Sequence, residues 1–387
     1  MTAAAVAKVA DLLDDRSHHI EFNGHLTNHV KHAVVALAAI GAPEQVIRDY
    51  YKNYAELTPY GFPLEPQRPV TQVIDAGNWR EFIGRRAHFS AYCAFFDAEI
   101  AERGITAAVG EYAPELLRGW IGAFTHATIH LGWALWAEHP GMTAEALAYL
   151  AFSFVRVVDG DRPASTAADP LDSLLGLSAS WERDPAFRRA VESVIDDTNA
   201  FSELHPELNR SGLQARVAGV ALTGIPELIG ATAWSGPDRR TQVRRAVTLL
   251  YLAVPGDFVV LHLITSLFAL EVIADTLEAA EDTVHDLFWA GLRIIAAAER
   301  KIPAEHKLRE LARLYDGAAP DESGAAATDF EFSARRAWLE DEEHNPKLVF
   351  VLRSWWDDDP WSAYRHAAGQ FTHTPDLPAS FEAPPND

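Results

Sequence analysis

Histidines at helical spacing are the residues of this chain best suited to metal or proton chemistry. Three of them, His25, His29 and His32, lie in the stretch 22–41. At 100° per residue they fall within roughly 60° of one another on a helix, beside an apolar face. Ala36 continues their edge by one turn, and its small side chain leaves room for a ligand. We therefore predict one helix that packs through its apolar face and carries imidazoles at the edge.

A second pair of histidines lies in the segment FTHATIHLGW. His126 and His130 are four residues apart and share a helix face, with Trp133 one turn further on. Such a pair can chelate one metal ion, and two hydrogen-bonded core histidines are the alternative. A zinc-protease HExxH site is excluded, because Ala127 follows the first histidine where that motif needs glutamate.

The apolar segment FVVLHLITSLFAL contains a single ionisable residue, His262. Thr265 and Ser266 stand one turn ahead on the same helix face and form a polar stripe with it. A metal ligand and a core histidine bonded to a backbone carbonyl both fit this pattern, and the second is the commoner case for one residue.

His344 and Lys347 lie in the segment DEEHNPKLVFVL. Asn345 is a good N-cap and Pro346 suits the first helical position, so Lys347 falls in the first turn, where the helix dipole disfavours a cation. Burial there lowers a lysine pKa, and a neutral amine can accept carbon dioxide to form a carbamate, an anionic metal ligand. The alternative is a surface lysine paired with the acidic residues at 341–343.

The composition excludes several classes of partner. The formal charge is −22, from 33 basic and 55 acidic residues, which opposes binding to nucleic acid or to an anionic membrane surface. The chain has one cysteine, Cys93, so a metal must use histidine and carboxylate ligands. The opening residues show no export signal, and the most apolar run, 258–274, is interrupted by His262 and Glu271. We expect a cytoplasmic protein without a membrane span.

Helical periodicity dominates the chain and strand signals are almost absent. We predict an all-α fold, with one large helical-bundle domain over 1–372 around a buried histidine-lined pocket. Its two halves would meet near 160–170, and 373–387 would form a loose tail. A proline-rich loop at 58–70 could cover a site. Helices are predicted over 22–41, 43–57, 78–104, 114–138, 143–158, 185–198, 212–224, 238–254, 257–279, 283–302 and 345–356, with a polar connector at 315–328.

Other catalytic motifs are absent from the sequence. There is no GxGxxG after a strand, no Walker sequence, no GxSxG elbow and no kinase set. The dipeptide His285-Asp286 resembles a metal-binding HD pair, but we interpret it as surface. Ferritin-type di-iron sites need Glu-x-x-His pairs, and this chain offers only Asp282-x-x-His285 and Asp341-x-x-His344.

The four histidine segments, taken in order, resemble the questin oxidase-like family. They are FNGHLTNHVKHAVVALAAIGA, HATIHLGWALW, LHLITSLFAL and HNPKLVFVL, and they span 22–352. The resemblance implies an all-helical oxygenase that opens a ring of an anthraquinone-type polyketide in a Baeyer–Villiger-like oxidation, with a mononuclear iron site. Its fungal members carry a histidine where this chain has Thr27. The family's histidines fall on His29, His32, His126, His130, His262 and His344, with Lys347 in the last segment.

This resemblance, together with the preference of neutral imidazole for first-row metals, leads to one hypothesis for the site. The predicted ligands of Fe(II), or of another first-row metal, are His29, His126, His262, His344 and carboxylated Lys347. The predicted catalytic groups, which donate to a phenolate or quinone oxygen, are His25, His32 and His130. The predicted substrate contacts are Ala36, Trp133, Thr265 and Ser266.

The hypothesis makes the protein an iron-dependent oxygenase that uses dioxygen on a small aromatic polyketide or quinone. Two alternatives stay open at this point. One is a metal-free or NADPH-assisted Baeyer–Villiger-type monooxygenase, in which histidines act as bases on the substrate. The other is a non-catalytic carrier of an aromatic metabolite. Chelator sensitivity separates the two oxygenases, and oxygen uptake separates both from the carrier.

Overall fold

A computed structural model describes residues 3–157, 166–197, 212–232, 234, 237–278, 281–317, 325–340 and 342–373. These residues form two compact units. Unit 1 comprises the described parts of Met1–Val155, Ala334–Phe350 and His373–Asp387, and unit 2 those of Arg156–Ser333 and Val351–Thr372. In the described residues the only sheet is a two-stranded one and the rest of the regular structure is helical, which confirms the all-α prediction.

Unit 1 holds eight complete α-helices among its described residues. They are α1 (Ala3–Val6), α2 (Ala10–Asp14), α3 (Val30–Ala39), α4 (Glu44–Glu56), α5 (Phe89–Arg103), α6 (Ile105–Leu116), α7 (His126–Trp136) and α8 (Pro140–Phe152). Short 3₁₀ turns at Ala7–Val9, Trp79–Phe82, Arg86–His88, Leu117–Gly119 and Gly122–Thr125 connect them.

The start of the predicted first helix was wrong. Residues 21–27 form a hairpin of β1 (Glu21–Phe22) and β2 (Leu26–Thr27), in which Phe22 pairs with Leu26. Asn23 and Gly24 turn the chain with φ of 47° and 81°, the left-handed conformations that an Asn-Gly hairpin turn requires. The turn preference of Asn-Gly prevails here over the helical spacing of the histidines, and the helix begins only at Val30.

The core of unit 1 is built from helices that are buried around most of their circumference. α8 packs against both α5 and α7, and α3 packs against α4 and α7. Every residue of α3 except Ala39 is buried, which suits its alanine- and valine-rich sequence. The N-terminal ends of α3 and α7 therefore lie next to each other in the core of unit 1.

Unit 2 is also helical. Its described helices are α9 (Pro170–Arg183), α10 (Pro185–Asp196), α11 (Gly212–Thr223), α12 (Pro226–Ile229), α13 (Arg239–Ala253), α14 (Phe258–Leu277), α15 (Glu281–Ala298), α16 (Glu305–Leu314) and α19 (Ser362–Ala368). Two more, α17 (Ala325–Leu339) and α18 (Asn345–Asp358), have residues in both units. Within unit 2, α14 packs against α13 and α15.

α14 is long and apolar enough to cross a membrane, with a mean hydropathy of 1.9, but 83% of that window is buried inside the protein. Its one buried acidic residue, Glu271, accepts hydrogen bonds from Arg244 on α13 at 2.9–3.1 Å. Buried charge paired in this way is typical of a core helix rather than of a lipid-facing one.

Several other boundaries differ from the sequence prediction. The segment 114–138 is not one helix: Pro114 lies inside α6, and two 3₁₀ turns precede α7. α9 was missed, although Asp169 caps it through the Asp172 N–H and Pro170 opens it. Part of the predicted connector at 315–328 belongs to α17. The predicted tail beyond 373 and most of the predicted linker at 160–170 lie outside the described residues.

The surface assignment of His285 was wrong as well. It is fully buried on α15, and its Nε2 lies 3.7 Å from Glu271 Oε1. Position 285 falls on the apolar face of α15, and the carboxylate it meets comes from another helix. The His-Asp dipeptide alone does not indicate which face of the helix carries His285, so its burial could not be predicted from the motif.

Candidate metal centre

Three of the predicted ligands, His29, His126 and His344, converge in unit 1. His29 immediately precedes α3, His126 is the first residue of α7, and His344 immediately precedes α18. One nitrogen of each lies within 4.8 Å of the others, and the rings of His126 and His344 stand 4.6 Å and 4.8 Å from that of His29. Three helix N-termini thus present imidazoles to one point.

Two of these rings are fixed by oxygen acceptors. His126 Nδ1 donates to the Ala123 carbonyl at 2.5 Å, and His344 Nδ1 donates to Glu342 Oε1 at 2.5 Å. A carbonyl and a carboxylate can only accept, so both rings carry their proton on Nδ1. Each Nε2 then carries its lone pair rather than a proton, which is the usual state of ligand histidines.

A left-handed turn aims the Ala123 carbonyl at His126. Ala123, Phe124 and Thr125 have φ of 48°, 53° and 69°, a conformation that costs non-glycine residues about 1–3 kcal/mol each. The preceding Gly122 lets the turn pack closely, because a Cβ there would lie 2.0 Å from the Ser153 carbonyl oxygen. Strain is therefore held at the residues that orient a candidate ligand.

Lys347 is buried and lies against His29, with 2.8 Å between its Nζ and His29 Nδ1. Burial lowers the pKa of Lys347 to about 8, against the opposing effect of Glu343 and Glu342. The direction of this bond follows the protonation of Lys347: its charged ammonium donates to His29 Nδ1, whereas its neutral amine accepts the Nδ1 proton. Lys347 is thus buried and not at the surface as the alternative required, although Glu343 and Glu342, two of the acidic residues that the alternative named, are its charged neighbours.

Glu343 is a fully buried carboxyl group beside the three histidines. Its Oε1 lies 3.9 Å from both His29 Nδ1 and His344 Nδ1. Burial and the neighbouring Glu342 raise the pKa of Glu343 to about 8, while Lys347 opposes the shift. The phenol of Tyr60, from the proline-rich loop, interacts with it. The loop at 58–70 therefore contributes a side chain to this group.

The three imidazoles are held in their neutral form. Burial, followed by the charge of Lys347, lowers the pKa of His29 and of His344 well below the usual value. Burial lowers that of His126 to about 3, although its bond to Ala123 acts in the opposite direction. Neutral imidazole is the form that binds a metal, so the donor set and its protonation fit a first-row divalent ion.

Two of the predicted catalytic residues, His32 and His130, form a chain that begins beside His29. The ring of His32 stands 5.6 Å from that of His29, and His32 Nε2 hydrogen-bonds His130 Nδ1. His130 Nε2 lies 3.7 Å from Glu145 Oε2. Glu145 in turn pairs with Lys31 at 2.7 Å. The structure thus brings both histidines together with the candidate metal ligands.

His25, the third predicted catalytic residue, lies in the turn between β1 and β2. Burial lowers the pKa of His25 to about 4, and its charged neighbours are Glu21 and Arg86. Arg86 also binds Glu21 at 3.0 Å and 3.2 Å. His25 therefore lies beside an ion pair between Glu21 of the hairpin and Arg86 of a 3₁₀ turn.

The remaining predicted residues stay predictions. His262 belongs to α14 of unit 2, where its Nδ1 donates to the Phe258 carbonyl at 2.8 Å. Thr265 and Ser266 donate to the carbonyl of His262, so their hydroxyls serve the helix backbone. The predicted substrate contacts of unit 1, Ala36 and Trp133, are both fully buried.

Residues 26–352 match the questin oxidase-like family. The chain belongs to this family. Among curated proteins it is similar to a Baeyer–Villiger oxidase of Paecilomyces divaricatus, with 33% identity over 37% of this chain and 33% of the relative. It is 26% identical to the questin oxidase of Aspergillus terreus over 65% of this chain and 58% of that protein.

A Baeyer–Villiger oxidase of Pestalotiopsis microspora is also 26% identical, over 73% of this chain and 68% of the relative. The matched segments thus span from a third to two thirds of these relatives. Membership of the questin oxidase-like family confirms the resemblance drawn from the four histidine segments.

The questin oxidase-like motifs did not point to three acidic residues of this site. Glu342 and Glu343 stand just before His344 in the sequence, and two adjacent acidic residues are usually exposed to solvent. Glu145 lies one turn into α8, where nothing in its own segment marks it as the partner of His130. Acidic residues directly before an Asn-Pro helix start were the available signal for Glu342, since that position favours a capping carboxylate.

Proposed function

We propose that this protein is an iron-dependent oxygenase that cleaves or oxygenates a ring of an anthraquinone-type aromatic polyketide. The observation that carries the proposal is the convergence of His29, His126 and His344, buried and neutral, with two rings fixed through Nδ1. Family membership and the names of the relatives, a questin oxidase and Baeyer–Villiger oxidases, support the oxidative chemistry.

In this proposal His29, His126 and His344 hold the metal. Fe(II) bound there would activate dioxygen for the oxidation of the ring. Ala123 and Glu342 keep two of the rings turned toward the metal position. Burial of the site keeps out bulk water, which would compete with dioxygen and with the substrate.

We further propose that Lys347 supplies an anionic ligand. Its neutral amine would bond to the carbon of carbon dioxide and lose one proton, which gives a carbamate. The lowered pKa of Lys347 and its position in the first turn of α18 support this step. Intact-protein mass measured at neutral pH should then show one added carbon dioxide, which a Lys347→Met variant lacks.

The chain from His32 through His130 to Glu145 is proposed to serve the substrate. Ionised Glu145 favours a proton on His130 Nε2, and His130 Nδ1 then accepts from His32 Nε2–H. His32, the member next to His29, would therefore present its Nδ1 lone pair and accept a proton from a substrate phenol bound there. Glu145 would hold His130, which orients His32 in turn. Trp133 and Ala36 are the proposed apolar contacts of a flat aromatic ring.

The first experiment measures iron content and oxygen uptake. Protein purified without chelator should contain iron and consume oxygen with questin, the anthraquinone that gives one relative its name. His29→Ala should lose both, whereas a control, His366→Gln, should retain both because His366 bonds Tyr315 in unit 2. The nitric oxide adduct of the anaerobic Fe(II) protein gives the spectroscopic signature of the site.

The outcomes separate the alternatives. Oxygen uptake that persists after complete metal removal, or that needs only NADPH, would replace the iron proposal by a metal-free oxygenase. Tight questin binding without oxygen uptake would make the protein a carrier. His262→Ala in the same assay tests the sequence prediction that His262 is a further ligand.

A further inference from the structure

Glu342 contacts His344 in a way that no motif of the sequence assigns. Its Oε1 accepts the Nδ1 proton of the His344 ring at 2.5 Å. Its Oε2 accepts the backbone N–H groups of His344 and Asn345 at 2.7 Å and 3.0 Å. Both oxygens of this buried carboxylate are thus engaged by N–H donors from the two residues that open α18.

This geometry favours a role of Glu342 behind His344 over direct ligation of a metal. Glu342, Glu343 and His344 are close enough together to hold an ion by themselves. The three N–H donors, however, already occupy the Glu342 oxygens, and the His344 nitrogen nearest to it carries a proton. The contact that joins Glu342 to the converging histidines is therefore its bond to the ring of His344.

The two fixed histidines differ in what holds them. His126 donates to a neutral carbonyl, which orients its ring and adds no net charge. His344 donates to a carboxylate side chain, and a hydrogen bond to an ionised acceptor is roughly twice as strong as one between neutral groups. A carboxylate behind Nδ1 generally raises the basicity of a ligand histidine, so His344 should be the stronger metal ligand of the two.

We propose that Glu342 is a positioning residue of the metal centre, which fixes the tautomer of His344 and strengthens its Nε2 as a ligand. This inference rests on the proposed metal site and extends it to a residue outside the ligand set. Loss of such an outer carboxylate typically lowers metal affinity 10–100-fold, and we expect that range here.

The test is a titration of metal-free protein with Co(II) under anaerobic conditions, followed by its visible absorption spectrum. Glu342→Gln keeps the size of the side chain and an acceptor oxygen but removes the charge. The matched control is Glu340→Gln, because Glu340 lies in the same segment and bonds Arg336 and Asn345 rather than a ring. The dissociation constant should rise 10–100-fold in Glu342→Gln and stay within 3-fold in Glu340→Gln.

A second readout separates positioning from helix capping. The ¹⁵N shifts of the His344 ring in the metal-free protein report its tautomer, and the wild type should carry the proton on Nδ1. A residue that only caps α18 would leave the tautomer and the affinity unchanged in Glu342→Gln, and would alter only the unfolding midpoint. An Nε2-protonated His344 in the wild type would also overturn the proposal, even if the variant failed to fold.

The failure of this inference is distinct from that of the proposed function. Wild-type protein that binds neither Co(II) nor Fe(II) would overturn both. Wild-type binding together with an unchanged affinity in Glu342→Gln would overturn the role of Glu342 alone.

Discussion

At the scale of single residues, three different groups face the Nδ1 atoms of the three converging histidines. A carbonyl holds His126, a carboxylate holds His344, and the amine of Lys347 lies against His29. When Nδ1 carries the proton, the Nε2 of each ring carries a lone pair, the state in which imidazole binds a metal. The site is thus specified as much by the groups behind the rings as by the rings themselves.

Gly122 is the residue whose replacement should disturb this arrangement most. Gly122→Ala would place its Cβ 2.0 Å from the Ser153 carbonyl oxygen, so the left-handed turn at Ala123–Thr125 must move. We expect a loss of at least about 2 kcal/mol in the free energy of unfolding and weaker metal binding, because Ala123 no longer orients His126.

Urea denaturation and Co(II) titration measure the two effects. The control is Gly176→Ala in α9, where a Cβ meets nothing within 4 Å and should raise stability by about 0.5–1 kcal/mol. Equal stability of the two variants would show that the turn at Gly122 adapts without cost.

At the scale of elements, α3 and α8 are joined by charge inside the core of unit 1. Lys31 on α3 pairs with Glu145 on α8 at 2.7 Å, and both side chains are less than 10% exposed. Burial raises the pKa of Glu145, but Lys31, His130 and Arg16 outweigh it and hold that pKa at about 2. The carboxylate therefore stays ionised and holds His130 by its charge.

Removal of Glu145 should be costly, because it leaves Lys31 buried without a counter-charge. We expect Glu145→Ala to lower the free energy of unfolding by about 3–5 kcal/mol. Asp97→Ala is the matched control, since its pair with Arg16 is half exposed and should contribute less than about 1 kcal/mol. Urea denaturation of both variants checks this, and similar losses in the two would contradict the role assigned to burial.

The helices of this fold were easier to predict from the sequence than the turns that connect them. α4 follows from 3.6-residue periodicity, since it has one apolar face to bury. α7 and α14 follow from apolar runs long enough for a helix that is buried on all sides. The left-handed turn at Ala123–Thr125 could not be predicted, because ordinary residues adopt that conformation only when the surrounding packing imposes it. The β-turn at Asn23-Gly24 carried a clear signal, which the regular spacing of the histidines obscured.

The residues of the candidate site also fall into those that the sequence predicted and those that it did not. The histidines were predictable, because a titratable ring in an apolar helix is rare enough to stand out. Glu145 was not, since a surface carboxylate and a buried one look alike until the partner from another segment is known. Glu342 carried only one signal, its position just before the Asn-Pro start of α18.

At the scale of the whole molecule, buried histidines should make stability depend on pH. Five fully buried histidines have pKa values below the usual one, namely His29, His32, His126, His130 and His344. Below about pH 6.5 the unfolded chain binds protons at these sites and the folded chain does not. Stability should therefore fall as the pH decreases from 6.5 toward 4.5, by up to roughly 1.4 kcal/mol per pH unit for each group.

One buried group opposes this trend. The pKa of Glu343 is raised to about 8, so above pH 4.5 the folded state holds a proton that the unfolded state has lost. Glu343 contributes one proton, whereas the five histidines contribute several. The free energy of unfolding should therefore still increase with pH over this interval. Urea denaturation of metal-free protein between pH 5 and 7 measures it, and a flat profile over that interval would show that the histidines are protonated in the folded state.

The order of the segments in unit 1 has a consequence for synthesis. His126 and His344 are separated by more than two hundred residues, although they belong to one unit. At roughly 5–20 residues per second, the ribosome delivers the second one roughly 10–40 s after the first. During that interval α3 and α7 lack the segment that carries His344, Lys347 and both carboxylates. The candidate metal centre is therefore incomplete until the segment around His344 has left the ribosome, so metal insertion should follow the synthesis of that segment.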